Sequence, residues 1–182
     1  ASWLRAPGEY LSLLAAAPEA DPELRRLAAH LTVGETYFFR DRACFDALRQ
    51  HVLPALIAAR RAEGTLRLRL WSAGCATGEE PYSLAILLDS LLPDRPDWAV
   101  TILATDINAA ALEVARRGLY REWSFRQSPP EIRGRHFRDR GDETFELNPS
   151  IRRMVAFAPL NLAAGVYPDV VTNTTAMDLV VC

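Results

Sequence analysis

The stretch from Leu66 to Arg117 constrains the fold more than any other part of the chain. Leu66 to Trp71 alternates leucine with arginine, a strand pattern, and runs into the turn Ser72-Ala73-Gly74-Cys75-Ala76-Thr77-Gly78. Glu79-Glu80-Pro81 and the apolar run Tyr82 to Leu92 then read as a helix, with proline in the first turn, where a missing N–H costs nothing. A second strand, Ala99 to Thr105, ends at Asp106. A second helix, Asn108 to Arg117, stops at Gly118. Strand, glycine-bearing turn, helix, strand, acid, helix is the opening of a doubly wound α/β sheet.

Around this unit the pattern changes. Tyr10 to Leu14 and Glu23 to Leu31 read as helical segments broken at Pro18 and Pro22. A polar-to-aromatic switch covers residues 32–40, and residues 43–62 form an amphipathic helix that Pro54 should bend and Gly64 should follow. Residues 119–158 interrupt the α/β alternation with a helical piece at Pro130 to Phe137. Two short strand-like runs follow, Thr144 to Leu147 and Met154 to Phe157, joined by Asn148-Pro149, and a small antiparallel excursion is expected there. The alternation resumes at Asp178 to Cys182.

Composition narrows the class. Apolar residues are 49% and charged residues 24% of the 182, enough for a real core. A net charge of −2 gives no overall positive field for nucleic acid or anionic lipid, and no run approaches a membrane span. All 21 basic residues are arginine, which reads as codon preference. Cys44, Cys75 and Cys182 form no CxxC, so no zinc site, other metal site or disulfide framework is expected, and a reducing cytoplasm fits best. The chain starts at Ala1 and stops inside an apolar strand pattern, so it reads as an excerpt of a longer protein.

The turn at 72–78 is the strongest chemical signal. A strand ending in a glycine turn that opens a helix lets backbone approach a ligand, with helix N–H groups aimed at it. It is not GxGxxG, because Ala76 occupies the middle position. Asp106 at the end of the next strand is placed to accept hydrogen bonds from ribose hydroxyls, which favours an adenosine-containing ligand. Glu79 and Glu80 fit dipole compensation at a helix start, but they would also repel a pyrophosphate. That argues against a nicotinamide dinucleotide and for a cationic ligand such as S-adenosylmethionine. For Thr36-Tyr37-Phe38-Phe39-Arg40, core packing with a surface Arg40 is the preferred reading. The alternative makes Thr36 and Arg40 ligand donors and the aromatics a wall.

Several segments, in order, resemble the chemotaxis receptor methyltransferases of the CheR family. They are Glu35 to Arg40, Trp71 to Leu84 with its T-G-E-E-P-Y-S run, and Ala104 to Ile107, followed by Gly118-Leu119-Tyr120, Val155-Ala156-Phe157 and Asn161-Leu162. The resemblance covers the chain from about Glu9 onward. It implies a Rossmann-like class I S-adenosylmethionine-dependent methyltransferase fold, α/β, with a small inserted antiparallel β-subdomain at about 125–158. Residues 1–31 would be the end of an N-terminal helical domain, and 32–182 a C-terminally incomplete cofactor domain.

It also implies the cofactor S-adenosylmethionine, the product S-adenosylhomocysteine and methyl esters on glutamates in the cytoplasmic region of chemotaxis receptors. Neither nucleic-acid binding nor direct membrane insertion is expected. Family cofactor positions fall on Gly34, Thr36, Arg40, Glu79, Asp106, Asn161 and Leu162. Gly34 stands where some members have a contacting asparagine, leaving only backbone there. An Arg-Asn pair that contributes to the family's pocket follows the strand cysteine and would lie past Cys182. No catalytic base is expected, because a glutamate is already ionised at neutral pH. Other readings are a regulatory module that binds the cofactor without turnover, a family member with another protein substrate, and an oxidoreductase.

Overall fold

The computed structural model describes residues 7–18, 21–32, 34–165 and 167–182. Val33 in the polar-to-aromatic switch, and residues 1–6 at the expected helical end, lie outside the described residues.

Four strands form one parallel sheet: β1 (Arg67–Ala73), β2 (Ala99–Asp106), β6 (Val155–Pro159) and β7 (Leu179–Val181), in the order β6-β2-β1-β7. Leu70 sits beside Ile102 on one side and Leu179 on the other, and Ile102 in turn pairs with Val155. The chain therefore winds outward from β1 through β2 to β6, then returns to lie on the other side of β1. That reversal is the topological switch point at which doubly wound sheets bind ligands, beyond the carboxyl ends of the strands.

Strand periodicity divides the core. Leu68, Leu70 and Ile102 face one side and pack with helix α5 (Glu79–Leu91) and with Leu53 and Ile57 of helix α4 (Leu53–Ala62). Helix α6 (Ala109–Arg117) adds Leu112 against Ala104. Trp71, Ala73 and Leu103 face the other side, against Leu160, Tyr167 and Met177. Helix α5 is buried from Pro81 to Leu88, as its unbroken apolar run predicts.

The expected bend near Pro54 takes a specific form. Helix α3 (Arg42–Ala47) passes into a π turn at Leu48–Val52 before α4 begins, and the Leu53 N–H donates to the Leu48 carbonyl, five residues back. A proline ring clashes with the carbonyl four residues earlier in a regular helix, and one wider turn relieves that clash.

Strands β3 (Leu119–Arg121), β4 (Phe137–Asp139) and β5 (Thr144–Leu147) form a separate antiparallel sheet, ordered β3-β5-β4. Helix α7 (Pro130–His136) leads into β4. The antiparallel excursion expected from sequence is present, but the run at 154–157 is not part of it. Helix α8 (Pro149–Arg152) intervenes, and the second run becomes β6, an edge strand of the parallel sheet. Two adjacent short strand patterns do not reveal which sheet each joins, because partner choice is set by distant residues.

The small sheet docks through aromatic packing. The Phe38 ring, fully buried, lies 4.9 Å from Tyr120, 5.1 Å from Phe125 and 5.1 Å from Phe137. The N-terminal helices are α1 (Pro7–Ala16) and α2 (Pro22–Leu31). The end of α2 reaches α6, where the Asn108 amide donates to the Ala29 carbonyl and to Thr32 Oγ1.

Candidate functional site

The turn after β1 is built from backbone. Gly74, Ala76 and Gly78 all have positive φ (82°, 46° and 93°), which folds the loop tightly over the sheet end. The N–H groups of Gly74 and Cys75 both donate to the Thr105 carbonyl at 2.8 and 2.9 Å. Gly78 has no substitute: a Cβ there would lie 2.8 Å from Ala115 Cβ and 3.1 Å from the Tyr120 hydroxyl oxygen. That hydroxyl donates to the Thr77 carbonyl at 2.9 Å, so the turn and the small sheet hold each other.

Asp106 closes the loop. One of its carboxylate oxygens accepts from the Ala76 N–H at 2.7 Å, the other from the Asn108 N–H at 2.8 Å. Each oxygen keeps lone pairs for a further donor. Beside it, Glu80 Oε1 accepts from Ser72 Oγ at 2.6 Å. Burial raises the Glu80 carboxyl above its ordinary value, and the Ser72 hydrogen bond only partly opposes this.

These groups line a cavity of about 590 Å³ at the switch point, within the usual range for small-molecule sites. Six of the seven residues singled out from sequence line it: Gly34, Thr36, Arg40, Asp106, Asn161 and Leu162. The seventh, Glu79, does not. It is buried, and its carboxylate accepts from Thr77 Oγ1 at 2.6 Å and Ser124 Oγ at 2.9 Å, tying α5 to the segment after β3. Consecutive helix residues point about 100° apart, so only one acid of the pair can face the cavity, and it is Glu80.

The Thr36–Arg40 segment divides its roles. Phe38 is core, as preferred from sequence, while Tyr37 lines the cavity, and Arg40 is exposed yet lines it too. Arg126 lies over Tyr37 at 3.7 Å and Trp123 at 4.1 Å, and pairs with Glu35 at 2.9 Å, fixing that rim. Asp41 was missed by sequence reasoning. It caps α3 through the Cys44 N–H and also lines the cavity, and its place directly after the T-x-F-F-R motif was the available signal. Cys75 is a buried filler: burial, with Asp106 beside it, pushes its thiol far above the range where a thiolate forms.

Charge makes the cavity selective. Among the described lining residues, four acids, Glu35, Asp41, Glu80 and Asp106, stand against a single basic side chain, Arg40. Such a site disfavours a pyrophosphate and suits a ligand with fixed positive charge. Gly34 leaves room: a Cβ there would meet only Ala76 Cβ, at 3.8 Å.

Residues 34–182 match the family described as CheR methyltransferase, SAM binding domain. The chain belongs to the CheR methyltransferase family. A probable chemotaxis protein methyltransferase of Rhizobium etli is 38% identical over 86% of this chain and 58% of its own length. The chemotaxis protein methyltransferase of Borreliella burgdorferi is 32% identical over 96% of this chain and 60% of its own. Chemotaxis protein methyltransferase 1 of Pseudomonas aeruginosa is 36% identical over 84% and 54% respectively. The chain thus spans little more than half the length of these CheR relatives. The cofactor of the CheR domain is S-adenosylmethionine, and the cavity's donor set fits it. The carboxylates of Glu80 and Asp106 line it as acceptors suited to hydroxyl or cationic groups, beside Gly74, Cys75 and Ala76 of the turn.

Proposed function

We propose that this chain is the cofactor domain of an enzyme that methylates glutamate side chains of chemotaxis receptors, forming methyl esters in sensory adaptation. The observation that carries this reading is the acidic switch-point cavity assembled by the family's separate motifs. Relatives named chemotaxis protein methyltransferase support the substrate class.

Asp106 holds the ribose hydroxyls, and Glu80 faces the positive charge of the cofactor. Gly34, Thr36, Arg40, Asn161 and Leu162 complete its contacts, while Glu79 shapes the wall through Thr77 and Ser124. Residues 1–31 are the end of a helical domain, and the segment around β3 to β5 is the inserted subdomain of the cofactor domain.

S-adenosylmethionine, which Asp106, Glu80 and the other residues named above would hold, would supply an electrophilic methyl group for transfer to a substrate carboxylate. A carboxylate acceptor is already ionised and needs no base, and among the described residues lining the cavity there is no histidine. The protein's task is alignment and exclusion of the water that stabilises the carboxylate. Tyr37, held under Arg126, forms the wall beside which that carboxylate enters.

The test uses the full-length protein, methyl-labelled cofactor and receptor-bearing membranes. Label should release as volatile methanol in base, as carboxyl esters do; base-stable label, or none, overturns the assignment. Asp106→Ala should weaken cofactor binding by about 1.5–3 kcal/mol, the range for hydrogen bonds to a charged group. Unchanged affinity by calorimetry would remove its ribose role.

A further inference from the structure

A second cavity, of about 610 Å³, lies on the far side of α3 from the cofactor site. Its walls are α3 with the following π turn, the second half of α5, and residues 127–136. Phe39, Phe45, Ile86, Leu87 and Ile132 give it an apolar interior.

Two observations point to an occupant. The first is His136, which lines the cavity, is only 4% exposed, and makes no side-chain hydrogen bond among the described residues. Its ring nitrogens are thus open to a group inside the cavity. Burial lowers its pKa, so at neutral pH the ring offers one donor and one acceptor. The second is charge. Arg42, Arg49 and Arg135 face the cavity against Asp46 and Glu131. Asp46 is held by Arg49 at 3.1 Å and Arg42 at 4.0 Å, while Arg135 has no ion pair among the described residues. The cofactor cavity has the opposite balance, so the two sites select different ligands.

The partition between them is thin. Phe45 lines both cavities, Asp41 and Cys44 face the cofactor side, and Arg42 and Asp46 face the other. Phe39, just before α3, has a φ of 58°, which is strained for an aromatic residue, and its N–H donates to Ser83 Oγ at 3.0 Å. Displacing α3 therefore alters both sites at once, and such coupling is reciprocal.

We propose that the second cavity is an effector site for a small anion on a flat apolar body, a carboxylate or phosphate ester of an aromatic ring, and that its occupancy changes cofactor affinity across α3. The ring fills the space between Phe39, Phe45 and Ile132. The oxyanion meets Arg49 and Arg135, and His136 supplies the remaining hydrogen bond.

The experiment uses 2-naphthoate and 2-naphthyl phosphate as probes, with neutral 2-naphthamide and inorganic phosphate as controls. Methyl resonances of Ile86 and Ile132 report occupancy without reference to the cofactor. Both anions should shift these resonances, with the stronger binder identifying the preferred head group. Naphthamide should bind at least about tenfold more weakly, and phosphate alone should not bind. Arg49→Ala with Arg135→Ala, both at exposed positions, should remove the preference for the anions while leaving naphthamide unchanged. Saturating naphthoate should change the dissociation constant of S-adenosylhomocysteine by at least about threefold, and the product should change naphthoate affinity by the same factor. Equal binding of naphthoate and naphthamide, or unmoved isoleucine resonances, would overturn the anion site. Simple competition with S-adenosylhomocysteine, or no change in its affinity, would overturn the effector role.

Discussion

Glu79 and Glu80 show how far one residue of phase separates two neighbours. Glu79 is spent on Thr77 and Ser124, whereas the half-buried Glu80, held by the Ser72 hydroxyl, lines the cofactor cavity. Its folded pKa lies above its ordinary 4.5, so in the interval between the two values the folded state binds more protons than the unfolded. The charged carboxylate thus lowers stability at neutral pH, and that penalty is relieved as pH falls through the raised value. Cofactor affinity should move the opposite way, weakening over the same interval, because protonation removes the anion that faces the cofactor's positive charge. Glu80→Gln should flatten this pH dependence and reduce affinity at pH 7 by about 1.5–3 kcal/mol, read by calorimetry. Gly78→Ala combines a forbidden φ with a collision against Ala115, and should cost on the order of 3 kcal/mol in urea unfolding. Gly74→Ala, where a Cβ meets nothing within 4 Å, should cost only about 1–2 kcal/mol.

Among the elements, the aromatic run 37–39 acts as a joint. Phe38 reaches Tyr120, Phe125 and Phe137, its N–H donates to the Ser124 carbonyl, and its own carbonyl accepts from Ser128 Oγ. Core α/β domain and small antiparallel sheet both pack on this ring. Phe38→Ala should therefore destabilise by about 3–5 kcal/mol, and hydrogen exchange should show protection lost first in β3 to β5. Loss spread evenly over the whole chain would mean that the small sheet does not depend on the joint. The π turn at 48–52 is a second junction, which lets Pro54 sit in a continuous helical rod while α3 forms the wall between two cavities.

For the molecule as a whole, charge is organised by site and not by net value. Residues 116–140 carry eight arginines, but Arg116, Arg126, Arg133 and Arg140 are paired with Glu113, Glu35, Glu122 and Glu146. That leaves Arg117, Arg121, Arg135 and Arg138, all exposed and without an ion pair among the described residues, as the charges that would attract an acidic receptor segment under the proposed function. The Michaelis constant for receptor should accordingly rise by a few-fold, and no more, as salt goes from about 0.05 to about 0.5 M. Arg121→Glu with Arg138→Glu should abolish the salt dependence. A dependence that survives this change would locate the steering elsewhere. Among the described residues no helix is long and apolar enough to cross a membrane.

The sequence by itself determined the α/β class, the cofactor loop and the acid after β2, because each rests on local rules. Strand alternation, glycine at positive φ and helix entry are properties of residues close in the chain. Six of the seven residues chosen from motifs meet at one cavity, since motifs at successive strand ends converge on the same edge of a parallel sheet. Tertiary structure alone decided the rest. It assigned the run at 154–157 to the large sheet, turned Glu79 inward and Glu80 toward the cavity, and made Phe38 a joint and Tyr37 a wall. It also built a second cavity around His136 from three segments distant in sequence. Those outcomes depend on which surfaces meet across long sequence separations, where burial and partner availability outweigh any local preference.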